Sequence, residues 1–93
     1  MSEKTAPALA KLDELVPLIK ALPADADTPS LIEAAEALQR AVAAFHMEAI
    51  RFRMHTVDRL LAKRDVPECH RVFADLRHAL ETAGFHTRSH AAP

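Results

Sequence analysis

The side chains best equipped for chemistry are six histidines, one cysteine, and the methionines Met47 and Met54. Histidines could hold a metal, a thiolate could attack or change redox state, and thioethers could hold a soft metal or a haem iron. Spacing decides whether they can act together. On a helix, two ligands share a face only at i, i+3 or i, i+4. His46 and His55 are nine apart and point to opposite sides. His70 and His78 are eight apart and miss alignment by about 80°. Glu48 and His55 share a face but stand two turns apart. His86 and His90 have usable spacing, in the tail beyond Gly84, and are the weak metal candidates. No ExxH pair suggests a di-iron bundle. No metal site or other cofactor is therefore expected.

Nucleophilic chemistry has little support. The chain has no glycine-rich phosphate loop and no GxSxG elbow. Cys69 and His70 are neighbours, so their side chains diverge on a helix. An apolar setting would raise the Cys69 pKa and blunt its reactivity. Met47 and Met54 at i, i+7 fit plain packing or an adaptable protein-binding surface. The chain reads as a non-enzyme.

The elements that must carry these residues are helical. Alanine abounds, there is one glycine, and no Asn, Trp or Tyr. Alanine, leucine, arginine, glutamate and lysine lose little freedom in a helix. Ninety-three residues make a single domain. A lone cysteine fits a reducing compartment, so a cytoplasmic location is expected. Charged residues interrupt every apolar run, which argues against a targeting segment or a membrane span.

Five segments follow. Residues 8–22 place Leu9, Leu12, Leu15, Val16, Ile19 and Leu22 at helical spacing, with Pro17 predicting a kink. Residues 23–28 read as a linker. A helix starts near Thr28-Pro29 or Ser30, where threonine or serine can cap. No Gly or Pro interrupts it between Ser30 and Arg64. One helix over 29–64 is predicted, roughly 50 Å long. Asp65-Val66-Pro67-Glu68 starts another helix over 66–83, and Gly84 ends it. Residues 84–93 are expected to form a disordered tail. No internal repeat stands out.

The predicted architecture is all-α: an antiparallel helical hairpin with one long central helix and a short kinked N-terminal helix. The long helix is apolar around too much of its girth. Leu31, Leu38, Val42, Phe45, Ala49, Phe52, Thr56 and Leu60 form one stripe. Met47, Ile50, Met54, Val57 and Leu61 form a second. Together they span roughly 220°, about twice an ordinary amphipathic stripe. His46 and Arg53 fall between them as a possible polar seam. A second copy packing on the second stripe would give a four-helix-type bundle, so a homodimer is expected. Met47, Ile50, Met54, Val57 and Leu61 are then the partner or self-association interface.

Charge qualifies this picture. The chain carries 12 Lys and Arg against 13 Asp and Glu, a formal charge of −1. Residues 1–39 are acidic, whereas residues 40–78 are basic through Arg40, Arg51, Arg53, Arg59, Lys63, Arg64, Arg71 and Arg77. These cations surround both helices rather than lining one face, which disfavours nucleic acid. The expected function is a small protein–protein interaction or scaffold module. The alternatives are a metal- or ligand-binding regulator using His46, His55 and the tail histidines, and a weak nucleic-acid-binding accessory protein.

Overall fold

A computed structural model describes residues 4–85. The tail histidines His86 and His90, and most of the expected tail, lie outside them. Four helices follow one another: α1 (Ala6–Lys20), α2 (Thr28–Ala43), α3 (Met47–Ala62) and α4 (Pro67–Thr82). No strand occurs among the described residues. The close helix pairs are α1 with α2, α2 with α3, and α1 with α4. The helices thus surround one apolar core in the order α3, α2, α1, α4, and the chain divides into two sequential helix pairs, α1–α2, which pack closely, and α3–α4, which a short loop joins without close packing.

The single long central helix predicted over 29–64 is instead α2 and α3, separated by a corner at Ala44-Phe45-His46. Neither Gly nor Pro makes this corner. Phe45 adopts a left-handed backbone, φ +58°. The His46 N–H donates to the Ala41 carbonyl (3.0 Å) and the Phe45 N–H to the Val42 carbonyl (3.1 Å). These two bonds satisfy carbonyls that a helix end otherwise leaves open. His46 then caps α3: its Nδ1 accepts from the Ala49 N–H at 3.2 Å. The same closure recurs after α4, where the Phe85 N–H reaches Leu80 and the Gly84 N–H reaches Glu81. There the left-handed residue is the expected Gly84, φ +100°.

The N-terminal helix also departs from expectation. It is one unbroken helix through Pro17, and its inner face is buried rather than loosely held. Pro17 is exposed, so its ring meets water rather than a neighbouring helix. Its missing N–H costs one bond near the end of a helix whose inner face compensates. Ala8, Leu12, Leu15, Val16 and Ile19 are all buried, because α1 lies between α2 and α4.

The two hairpins bury the same pattern of positions. Leu31, Ala34, Ala35, Leu38 and Val42 in α2 correspond, 38 residues on, to Cys69, Val72, Phe73, Leu76 and Leu80 in α4, and all ten are buried. Ala8, Leu12, Leu15 and Ile19 in α1 correspond, 42 residues on, to Ile50, Met54, Val57 and Leu61 in α3. Residue size differs between the copies. Alanines on α2 admit both α1 and α3 at close range, whereas α4, with Val72 and Phe73 in their place, packs closely on α1 but not on α3. Across the wider α3–α4 gap, Arg77 reaches Asp58 at 3.4 Å while its guanidinium lies 5.3 Å from the centre of the Phe73 ring.

Polar contacts pin the opposite end. The capping expected from Thr28 is done otherwise. Thr28 is the first residue of α2, and Asp25 Oδ1 accepts from the N–H groups of Asp27 (2.9 Å) and Thr28 (3.1 Å). At α4 the cap position is Val66, with no side-chain bond. Arg64, largely buried, donates to Asp25 Oδ1 at 2.6 Å and to Thr28 Oγ1 at 2.9 Å. It ties the end of α3 to the α1–α2 loop. The Asp27 N–H, then Thr28 and Arg64, hold the Asp25 carboxyl below its ordinary value of 3.8 against a smaller opposing effect of desolvation. A carboxyl depressed on folding adds stability that is complete above its unfolded value and fades as pH falls through the folded value. Urea midpoints should therefore drop below pH 3.8. In Asp25→Asn that part of the acid slope should vanish. An unchanged slope would mean the loop does not hold Asp25 as an anion.

Candidate interaction surface

The sequence-derived interface divides sharply. Ile50, Met54 and Val57 are fully buried, and Leu61 is 1% exposed. They are the inward stripe of α3, within the shared core. The second apolar stripe is hidden by the chain's own helices, because the corner turns α3 back on α2. Only Met47, at 50%, remains on the surface. The proposed seam does not form either. His46 is a helix cap, and the Arg53 guanidinium lies 5.1 Å from the centre of the exposed Phe52 ring.

Among the described residues three large apolar side chains remain exposed: Phe45 (50%) and Met47 (50%) at the corner and Phe52 (59%) in the second turn of α3. Phe45 meets Phe85 edge to face at 5.2 Å. Phe52 lies on the outer face of α3. At 100° per residue it stands opposite Ile50, Met54, Val57 and Leu61. Reading 29–64 as one rod had put Phe52 in a buried stripe. The corner was the missing information: once α3 starts afresh at Met47, its four buried positions leave Phe52 outside.

Beside Phe52 is a shallow concavity of about 210 Å³, lined by Glu48, Arg51, Phe52 and His55. Its unusual member is Arg51, whose Nε is buried and has no hydrogen-bond partner among the described residues. A buried donor left unpaired is costly, and guanidinium prefers a carboxylate or phosphate partner. Arg53 and Arg59 on α3 and Lys63 at its C-terminal end add positive charge that outweighs the Glu48 carboxylate, while Asp58 is engaged by Arg77. The face is basic with an apolar ring at its centre.

Other places offer less. A trough of about 690 Å³ runs between α1 and α4, bordered by Pro7, Lys11, Asp75, His78 and Ala79. Its Lys11 lies within 3.2 Å of Glu14 and 3.9 Å of Asp75. Cys69 is 3% exposed. Burial, then the neighbouring Glu68 carboxylate, push its thiol up, with Arg64 partly opposing. Among the described residues no three His, Cys, Asp or Glu side chains gather as metal ligands. The His70 Nε2–H is used within the chain, donating to the Arg64 carbonyl at 2.8 Å. No helix among them is long and apolar enough to cross a membrane.

No family model, curated protein or solved structure matches the chain.

Proposed function

We propose that this protein is a non-enzymatic interaction module that receives an acidic, amphipathic segment of a partner protein on the outer face of α3. The supporting observation is the unpaired, buried Arg51 Nε beside the exposed Phe52 ring. An apolar partner side chain packs on Phe52, and a carboxylate one turn away pairs with Arg51. Arg53, Arg59 and Lys63 attract the rest of an acidic segment, which raises the association rate more than the final affinity. Aromatic and arginine side chains of this kind dominate interface energetics.

The test uses two synthetic helical peptides with the same leucines, one otherwise rich in Glu and one rich in Lys. The Glu peptide should bind, and the Lys peptide should not. Phe52→Asp and Arg51→Ala should each weaken binding about tenfold or more, equivalent to about 1.4 kcal/mol. Phe52 is exposed and Arg51, half-buried at the edge of that face, is not part of the apolar core, so thermal stability should change little. Equal binding of the two peptides, or variants that bind like wild type, would overturn the proposal.

A second reading, association with another copy of the chain, is favoured by a different feature, the corner at Phe45.

A further inference from the structure

The α2–α3 corner sits where local preference calls for helix. Ala43 and Ala44 are the best helix formers, and nothing from Ser30 to Arg64 breaks a helix. The corner instead holds a phenylalanine at φ +58°. A residue with a Cβ is strained there, because that carbon crowds the following carbonyl oxygen. Gly84 closes α4 in the same way without that strain. Tertiary packing must therefore maintain the corner, since α3 can reach α2 within one chain only by turning back.

We infer that this corner is a hinge through which two copies of the chain exchange their α3–α4 hairpins. Straightening Ala44-Phe45-His46 gives one helix from Thr28 to Ala62, roughly 50 Å long. It carries α3 and α4 away from their own first hairpin. A second copy straightened in the same way supplies an identical pair. Each α1–α2 hairpin then regains an α3 against α2 and an α4 against α1, so the core is rebuilt twice from the same residues.

The exchange gives up little at the hinge. The closed form loses the His46 cap, the two closing bonds at Phe45 and His46, and the Phe45–Phe85 edge contact. It gains relief of the left-handed phenylalanine and continuous helical bonding through the corner. Short hinges under strain favour this kind of exchange. The two straightened segments run between the rebuilt cores, where Phe45 and Met47, half exposed in the single chain, gain cover. This inference does not depend on peptide docking, because the outer face of α3 stays outside in both forms.

The experiment alters hinge preference and then asks which chain supplies each hairpin. Phe45→Gly suits the left-handed corner and disfavours helix. Phe45→Ala keeps the strain, favours helix and removes the contact with Phe85. Each is refolded at about millimolar concentration beside the wild-type protein, and mass is measured by light scattering. The dimer association constant should be about a hundredfold or more larger for Phe45→Ala than for Phe45→Gly, with wild type between. Two hinges straighten per dimer, so each preference counts twice.

To establish exchange, Lys11→Cys and Asp75→Cys are added in a Cys69→Ala background, and the isolated dimer is treated with a short bis-maleimide. Lys11 on α1 and Asp75 on α4 approach within 3.9 Å. Exchange predicts covalent dimers on a denaturing gel, and the monomer fraction should cross-link only internally. Wild-type and Phe45→Ala proteins that stay monomeric throughout, or a dimer that cross-links within each chain, would overturn the inference.

Discussion

Met54→Asp should abolish the fold. Met54 is 0% exposed, on the inward stripe of α3, within the core shared by all four helices. Aspartate there must either hold a charge without water or be protonated at a large cost. Either outcome costs several kcal/mol. A domain of this size has roughly 5–14 kcal/mol in total. Circular dichroism should show most helicity lost, or a urea midpoint close to zero. Had the sequence expectation of one long rod been right, the same change would have weakened self-association and left the helices intact. A helical Met54→Asp protein that unfolds cooperatively at a wild-type urea midpoint would contradict the burial of Met54.

Leu38→Ala and Leu76→Ala should each cost about 2–5 kcal/mol, with Leu38 the more damaging. They occupy corresponding places in α2 and α4, and both are 0% exposed. Their surroundings differ. On its own helix face Leu38 is flanked by Ala34, Ala35, Ala41 and Val42. Leu76 is flanked by Val72, Phe73, Ala79 and Leu80. The cost of a truncated leucine depends on how far neighbours can collapse into the space. Alanine has no side-chain freedom to do so, whereas Phe73 and Leu80 can shift. Urea denaturation of the two single variants decides the order. A larger loss at Leu76 would mean that the backbone around α2 relaxes instead.

The elements flanked by recognisable signals were legible in the sequence. Pro29 and Pro67 mark the starts of α2 and α4, and Gly84 marks the end of α4. The α4 stripe of Cys69, Val72, Phe73, Leu76 and Leu80 follows from its spacing alone. The α2–α3 corner was not legible, since Ala43-Ala44-Phe45-His46 contains no residue that breaks a helix. Its energy comes from burying Ile50, Met54, Val57 and Leu61 beneath the neighbouring helices. That long-range gain outweighs a local preference of a few tenths to about one kcal/mol per residue. The excess girth of apolar surface was a correct observation. It belonged to two helices viewing one core, not to one rod viewing two partners. The candidate surface was hidden for the same reason, because Phe52 and Arg51 turn outward only once α3 is separated from α2.

The gap bridged by Arg77 makes the bundle unequal around its circumference. Three helix pairs are closely packed, whereas the fourth side, between α3 and α4, is spanned by the Arg77 guanidinium and the Asp58 carboxylate. Local opening should therefore begin on that side, and amide hydrogen exchange should be faster for the facing turns of α3 and α4 than for α1 and α2.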